Sequence, residues 1–300
     1  MKISLGSWAF SFGPYASHPI PFDRIVRRLA SAGYDGIEVC GFPPHITLQD
    51  HPDAASRRQV TDLLRHNGLG VSGYSANFSS VNPCVRENRA RYLDLFRRNL
   101  EMCVDLGSPV IRVDAGSAPG SIDDSDYAAA MERLAEVWRD AAAAAEVAGV
   151  RVAWEFEPGF VFNKPSEVFA LHALVAHRNF TVLFDTAHAH MCGVVGSRQQ
   201  GRRETLAGGV SEFLHKLTGR IGAVHLTDSD GTLHGDETST HRPLGEGCIN
   251  FPALAPALLA LPRVEWWCVD LCFWAGSWDL VERELEFVRG MLPKPVTSRR

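Results

Sequence analysis

Four short apolar, β-rich segments in the second half of the chain each end on a side chain able to bind a metal ion. They are Val150–Glu155 (VRVAWE), Phe180–Asp185 (FTVLFD), Ile221–His225 (IGAVH) and Val264–Asp270 (VEWWCVD). The recurrence carries more information than any one of these residues. Glu155, Asp185, His225 and Asp270 together form an oxygen and nitrogen donor set suited to a hard or borderline divalent cation. An unpaired carboxylate inside the apolar run WWCVDLCFW is costly, so Asp270 requires a cation or an ion-pairing partner.

Further candidates stand beside these four. Glu157 lies two residues beyond Glu155 and shares its face if the strand continues; the plainer reading of both is an ion pair with a nearby Arg or Lys. In FDTAHAH, Asp185 suits a metal while His188, one turn on, faces a substrate; Asp185 as a helix cap is the alternative. His190 reads as a structural histidine. A ligating His225 needs an acceptor on its second nitrogen, and Asp228 is the nearest in sequence. Asp230-Gly231 reads as a turn. His241 and Arg242, in HRPLGEG, suit a hydroxyl, carboxylate or phosphate. Trp8, Glu38, Asn77, Arg112 and Asp114 end earlier strand-like segments; Arg112 and Asp114 also suit a barrel-interior ion pair. The tryptophans around Asp270 read first as core and only second as sugar-stacking faces.

For these side chains to meet, the elements carrying them must share an edge. Strand signals fall at Ile3–Trp8, Gly36–Val39, Leu69–Tyr74, Val110–Asp114, Val150–Glu155, Thr181–Asp185, Ala223–Leu226 and Trp267–Leu271. Many are continuously apolar, as in a parallel sheet covered on both faces. Helical patterns lie between them: Phe22, Ile25, Val26 and Leu29 before Gly33; a stripe from Leu93 to Val104 between Arg86 and Gly107; and the Ala-rich stretch Asp126–Ala148 before Gly149. This alternation without a composition break predicts one α/β domain, a single (β/α)8 TIM barrel over residues 1–292, with a flexible C-terminal tail at 293–300. The C-terminal ends of its strands would form one rim, where the four candidate ligands converge. A doubly wound sheet is disfavoured because GSWAFSFG after the first strand is not a dinucleotide-binding GxGxxG. The longest irregular stretches, His190–Arg203 and Thr227–Ile249, follow the sixth and seventh strands and would lie over the rim.

Composition narrows the class. A net charge of −5 argues against a nucleic-acid binder. The seven cysteines form no CxxC pair or regular framework, which predicts reduced thiols and a cytoplasmic protein. The N-terminus reads as a strand and loop rather than a signal peptide, and no apolar run is long enough to span a membrane.

Five segments together carry a resemblance: SAGYDGIEV (31–39), WEFEPG (154–159), FDTAHAH (184–190), VHLTDSDG (224–231) and PLGEGCINF (243–251). Through them the chain resembles the xylose-isomerase-like TIM-barrel superfamily, in particular its sugar phosphate isomerases/epimerases. The resemblance implies a metal held by Glu155, Asp185, His225 and Asp270. Manganese is the first choice, with Mg, Co or Zn as alternatives. It also implies a substrate contact from His188 and another from His241 or Arg242. Trp8 and Glu157 complete the expected substrate-binding set. Relatives are often dimers or tetramers, so a homo-oligomer is compatible. One departure stands out: sugar epimerases of this group usually carry Glu at the eighth-strand ligand, where this chain has Asp270, shorter by one methylene.

The function expected from these readings is a metal-dependent isomerase or epimerase of a sugar, keto-sugar or cyclic polyol. Glu155 would remove a proton, His188 would support the enediolate, and Asp270 would return the proton. A lyase acting on an inosose or 3-keto-glycoside would share the first step and is the alternative. An apurinic-endonuclease-like role needs histidines at the ends of the second and third strands, which are absent. A non-catalytic sugar-binding barrel would not need the full ligand set.

Overall fold

The computed structural model describes residues 1–293; the expected tail lies outside them except for Pro293. Eight parallel strands close into a barrel in the order β1-β10-β7-β6-β5-β4-β3-β2. They are β1 (Lys2–Gly6), β2 (Gly36–Cys40), β3 (Gly70–Ser75), β4 (Val110–Val113), β5 (Arg151–Glu155), β6 (Phe180–Asp185), β7 (Ile221–Leu226) and β10 (Trp266–Val269). The intervening β8 (Leu233–His234) and β9 (Thr238–Ser239) form a small antiparallel hairpin in the loop after β7. Every expected strand is present with ends shifted by at most a few residues. Trp8, Asp114 and Asp270 lie just beyond their strands rather than within them.

The helices form the outer ring: α1 (Phe22–Ala32), α2 (Ala54–His66), α3 (Arg89–Leu106), α4 (Asp124–Val147), α5 (Pro165–Val175), α6 (Thr186–His190), α7 (Gly209–Leu217), α8 (Phe251–Leu259) and α9 (Val281–Met291). Local chemistry sets their ends. Asp53 accepts the Ser56 N–H at the start of α2, and Asn250 accepts the Ala253 N–H before α8, which has Pro252 in its first turn. Gly33 closes α1 with φ +92°, a conformation other residues reach only at a cost. Large apolar side chains, among them Trp138, Trp154 and Phe180, fill the layer between helices and sheet.

Two departures bear on the site. The stretch expected to be irregular from His190 instead continues α6 into a π-helical turn, Met191–Val195, stopped by Gly196 at φ +66°; such turns recur at functional sites. Between β2 and β3 the register slips at Ile37/Glu38, and a Cβ on Gly73 would stand 3.0 Å from the Glu38 carboxyl carbon. The slip and the glycine together make room for Glu38 inside the barrel.

Candidate metal centre at the barrel rim

The side chains that end β5, β6 and β7 meet at the C-terminal rim. One ligating atom each from Glu155, Asp185 and His225 lies within 4.8 Å of the other two. His225 Nδ1 is 3.0 Å from Glu155 Oε1 and 3.6 Å from Asp270 Oδ2, which brings the fourth expected ligand into the group. All four are buried. Asp185 Oδ1 accepts the His188 backbone N–H at 2.7 Å and so caps α6, but Oδ2 has no partner. His225 Nδ1 also lacks a well-directed hydrogen bond. A buried oxygen left unpaired is costly, and Asp185 Oδ2 among three further converging ligand groups fits a divalent cation of the oxygen- and nitrogen-binding kind.

His225 is oriented by Glu38, not by Asp228. Glu38 Oε2 lies 3.1 Å from His225 Nε2, which turns Nδ1 toward Glu155 and Asp270. Asp228 is fully occupied elsewhere. Its Oδ1 accepts the backbone N–H groups of Ser229 and Ile249, and its Oδ2 those of Gly245 and Gly247. A Cβ on Gly247 would sit 2.3 Å from Asp228 Oδ1, so only glycine permits this approach.

Arg112, at the end of β4, is the organising cation. It donates to Glu155 Oε2, to Asp114 Oδ2 at 2.7 Å and to Glu157 Oε1 at 3.4 Å. The ion-pair and functional readings of Glu155 therefore both hold: one oxygen meets Arg112 and the other faces His225. Burial raises the Glu155 pKa, but Arg112 and His225 outweigh it and hold the carboxyl well below its usual range. Burial pushes Glu157 up to about 7 against the pull of Arg112. Burial, reinforced by Asp270 and Glu155, pushes Asp185 well above a normal carboxylate. Burial favours a neutral His225, but Glu38 and Glu155 prevail and raise its pKa.

A cavity of about 150 Å3 opens over these groups. Trp8, Phe12, Phe42 and Phe273 wall one part of it; Arg112, Glu155, Glu157, His188, His225, His241 and Asp270 supply its polar surface. His188 Nδ1 is 2.8 Å from Ser239 Oγ, and burial keeps its imidazole neutral, with a pKa well below the usual value. The Thr238 hydroxyl donates to Glu157 Oε2. Trp8 Nε1 and the Cys272 backbone N–H each donate to Asp270 Oδ1 at 2.8 Å. His241 is buried with neither ring nitrogen paired, and its ring lies 5.1 Å from that of His188.

Arg242, expected beside His241 as a substrate contact, turns away. Its guanidinium pairs with Asp230 at 3.2 Å and covers the Trp274 ring at 5.2 Å. The reason is local: residue 242 forms an antiparallel bridge with Asp228, and neighbours on an extended segment point to opposite sides. Asn77 serves its own loop, accepting from Ser79. Sequence reading missed Thr238 and Ser239, because a Thr- and Ser-rich loop gives no periodic signal, and it missed the phenylalanine wall.

Several comparisons agree with this architecture. The family model described as xylose isomerase-like TIM barrel matches residues 26–290. A fructoselysine 3-epimerase of Escherichia coli O157:H7 is 23% identical over 236 residues, spanning 76% of this chain and 77% of that protein. A D-psicose 3-epimerase solved in the presence of D-fructose superposes with a TM-score of 0.74 at 18% identity, covering 97% of this chain and 99% of that one. The probable 3-DHS dehydratase AsbF from Bacillus anthracis superposes with a TM-score of 0.72 at 15% identity, covering 96% and 99%. The two structural likenesses speak for the fold; the family match extends over most of the barrel, and the chain belongs to the xylose isomerase-like TIM-barrel family.

Proposed function

We propose that the chain is a divalent-metal-dependent isomerase or epimerase acting on a sugar, keto-sugar or cyclic polyol at the barrel rim. The observation that carries this reading is the convergence of Glu155, Asp185, His225 and Asp270 at the rim, with Asp185 Oδ2 buried and without a partner among them. The 3-epimerase relative supports the reaction class. A cation bound there supplies Lewis acidity to a carbonyl and neighbouring hydroxyl, acidifying the carbon between them. The remaining work falls to the protein's own side chains. Arg112 fixes Glu155 in its ionised form, ready to accept a carbon-bound proton. When Ser239 donates to His188 Nδ1, the ring proton sits on Nε2 and can hydrogen-bond the oxygen where charge grows. Asp270 returns a proton to the substrate. His241, Glu157 and Trp8 hold the hydroxyls and one sugar face.

Elimination at the same site is the second reading, favoured by Asp270. Trp8 and Cys272 tether its Oδ1, and the side chain is short, so reprotonation of the enediolate is the weaker step. An enediolate that is not reprotonated expels its β-substituent.

Incubating the Mn-loaded protein with ketoses and keto-inositols in deuterated water tests both. Solvent deuterium at carbon with the formula retained supports isomerisation, and loss of water supports elimination. Neither outcome, in protein holding stoichiometric metal, overturns both readings. If a Glu155→Gln, Asp185→Asn double variant retains metal as the parent does, the proposed centre is wrong.

A further inference from the structure

Beside the metal-rim cavity lies a second one of about 230 Å3, and the two share His241, Cys272 and Phe273 as a common wall. The outer cavity is completed by His234 from the β8–β9 hairpin and by Thr240, Trp274 and Ala275. Among the described residues no Asp, Glu, Lys or Arg lines it, and Arg242 approaches only through the Trp274 ring that it covers. The shared wall is built with care. Phe273 has φ +64°, a left-handed conformation that an aromatic residue holds only when its surroundings enforce it. Those surroundings are visible: the Phe273 ring stacks on His234 at 4.4 Å and 6°, it lies against Phe12 at 6.1 Å, and its backbone abuts Gly13 so closely that a Cβ there would stand 3.0 Å from Phe273 Cα. His241, on the same wall, keeps both nitrogens unpaired although buried.

Size decides what such a pair of cavities can take. An apolar cavity of about 150 Å3 holds one benzene ring. The inner cavity therefore suits one reacting ring, and the outer one has room for another. We propose that the outer cavity is a second subsite receiving an uncharged, planar, ring-sized group attached to the reacting sugar, with Phe273 setting which groups enter. The substrate class is then a sugar carrying an aromatic substituent rather than a free monosaccharide. The proposal rests on the rim being the reaction centre.

The test compares methyl and phenyl 3-keto-β-D-glucopyranosides, which share the reacting ring, by calorimetric titration of the Mn-loaded protein with metal content measured in parallel. The expected result is phenyl binding at least about tenfold tighter than methyl, since burying the extra carbons is favourable. Trp274→Ala should erase that advantage and leave methyl binding unchanged. Ala275→Trp, an exposed position where the new ring fills the outer cavity without touching the core, should do the same. Equal affinities in the parent, variants that alter both glycosides alike, or no binding of either glycoside to metal-replete protein each overturn the subsite. A parent protein that takes up no metal overturns the rim reading instead, a separate failure seen in the metal assay.

Discussion

Asp185 and Asp228 are both fully buried carboxylates near the C-terminal ends of neighbouring strands, yet their surroundings differ in kind. Asp228 accepts four backbone N–H groups and holds the loop after β7 to the barrel. Asp185 accepts one and leaves its second oxygen bare beside Glu155 and His225. A buried carboxylate whose lone pairs are all used belongs to the scaffold; one left short among other ligand atoms fits the cation site proposed above. Glu284, on α9, is a third case. It accepts the Leu244 N–H, its Oε1 has no hydrogen bond but lies 3.5 Å from Arg283 Nη1, and burial raises its pKa to about 7 against the pull of both. Burial alone thus favours a protonated Glu284, whereas the ligand groups converging on Asp185 are what support the proposed cation there.

The sharpest way to break the comparison is Asp228→Ala. It strands four backbone donors and should cost on the order of 4 kcal/mol in denaturant unfolding, while the protein that remains folded keeps its metal content. Asp185→Asn should do the reverse. Metal affinity should fall more than about 100-fold by competitive chelation, with no loss of thermal stability in chelator, because the amide mimics the protonated carboxyl that burial already favours. If Asp185→Asn destabilises the metal-free protein instead, the residue is scaffold and the contrast fails.

Glu284→Gln probes the third case. The folded pKa of about 7 lies above the 4.5 of an unperturbed Glu, so the folded state binds the extra proton between those values. Parent stability should therefore fall as pH rises from 4.5 to 7 and stay lower above it. The variant should match the parent below pH 4.5 and exceed it by about 3 kcal/mol at pH 8, measured by thermal melts across that range. The smallest effect is expected from Glu38→Gln, which keeps an acceptor for His225 but weakens its hold: about tenfold in metal affinity, with the fold unchanged.

What the sequence made legible follows from where the physics is local. Strands covered on both faces read as apolar runs, and the abrupt switch to Glu155, Asp185 and His225 marked the rim. Long-range pairings left no such mark. The carboxylate that orients His225 is Glu38, 187 positions away, and nearby Asp228 was the natural but mistaken choice. Nothing in the side chains of Gly245, Gly247 and Ile249 announces that their backbone N–H groups serve Asp228. Choosing between His241 and Arg242 required knowing that the segment runs extended, so that adjacent side chains part company.

The Trp8–Asp270 hydrogen bond links positions 262 apart, and β1 is the strand against which β10 closes the barrel. A chain emerging from the ribosome carries Glu155, Asp185 and His225 long before the residues that complete their setting. The proposed ligand set is thus complete only after synthesis has passed Asp270 and the first strand has found the last. Under the proposed function, metal content would then report completed topology, since a truncated or unclosed barrel lacks part of the ligand set.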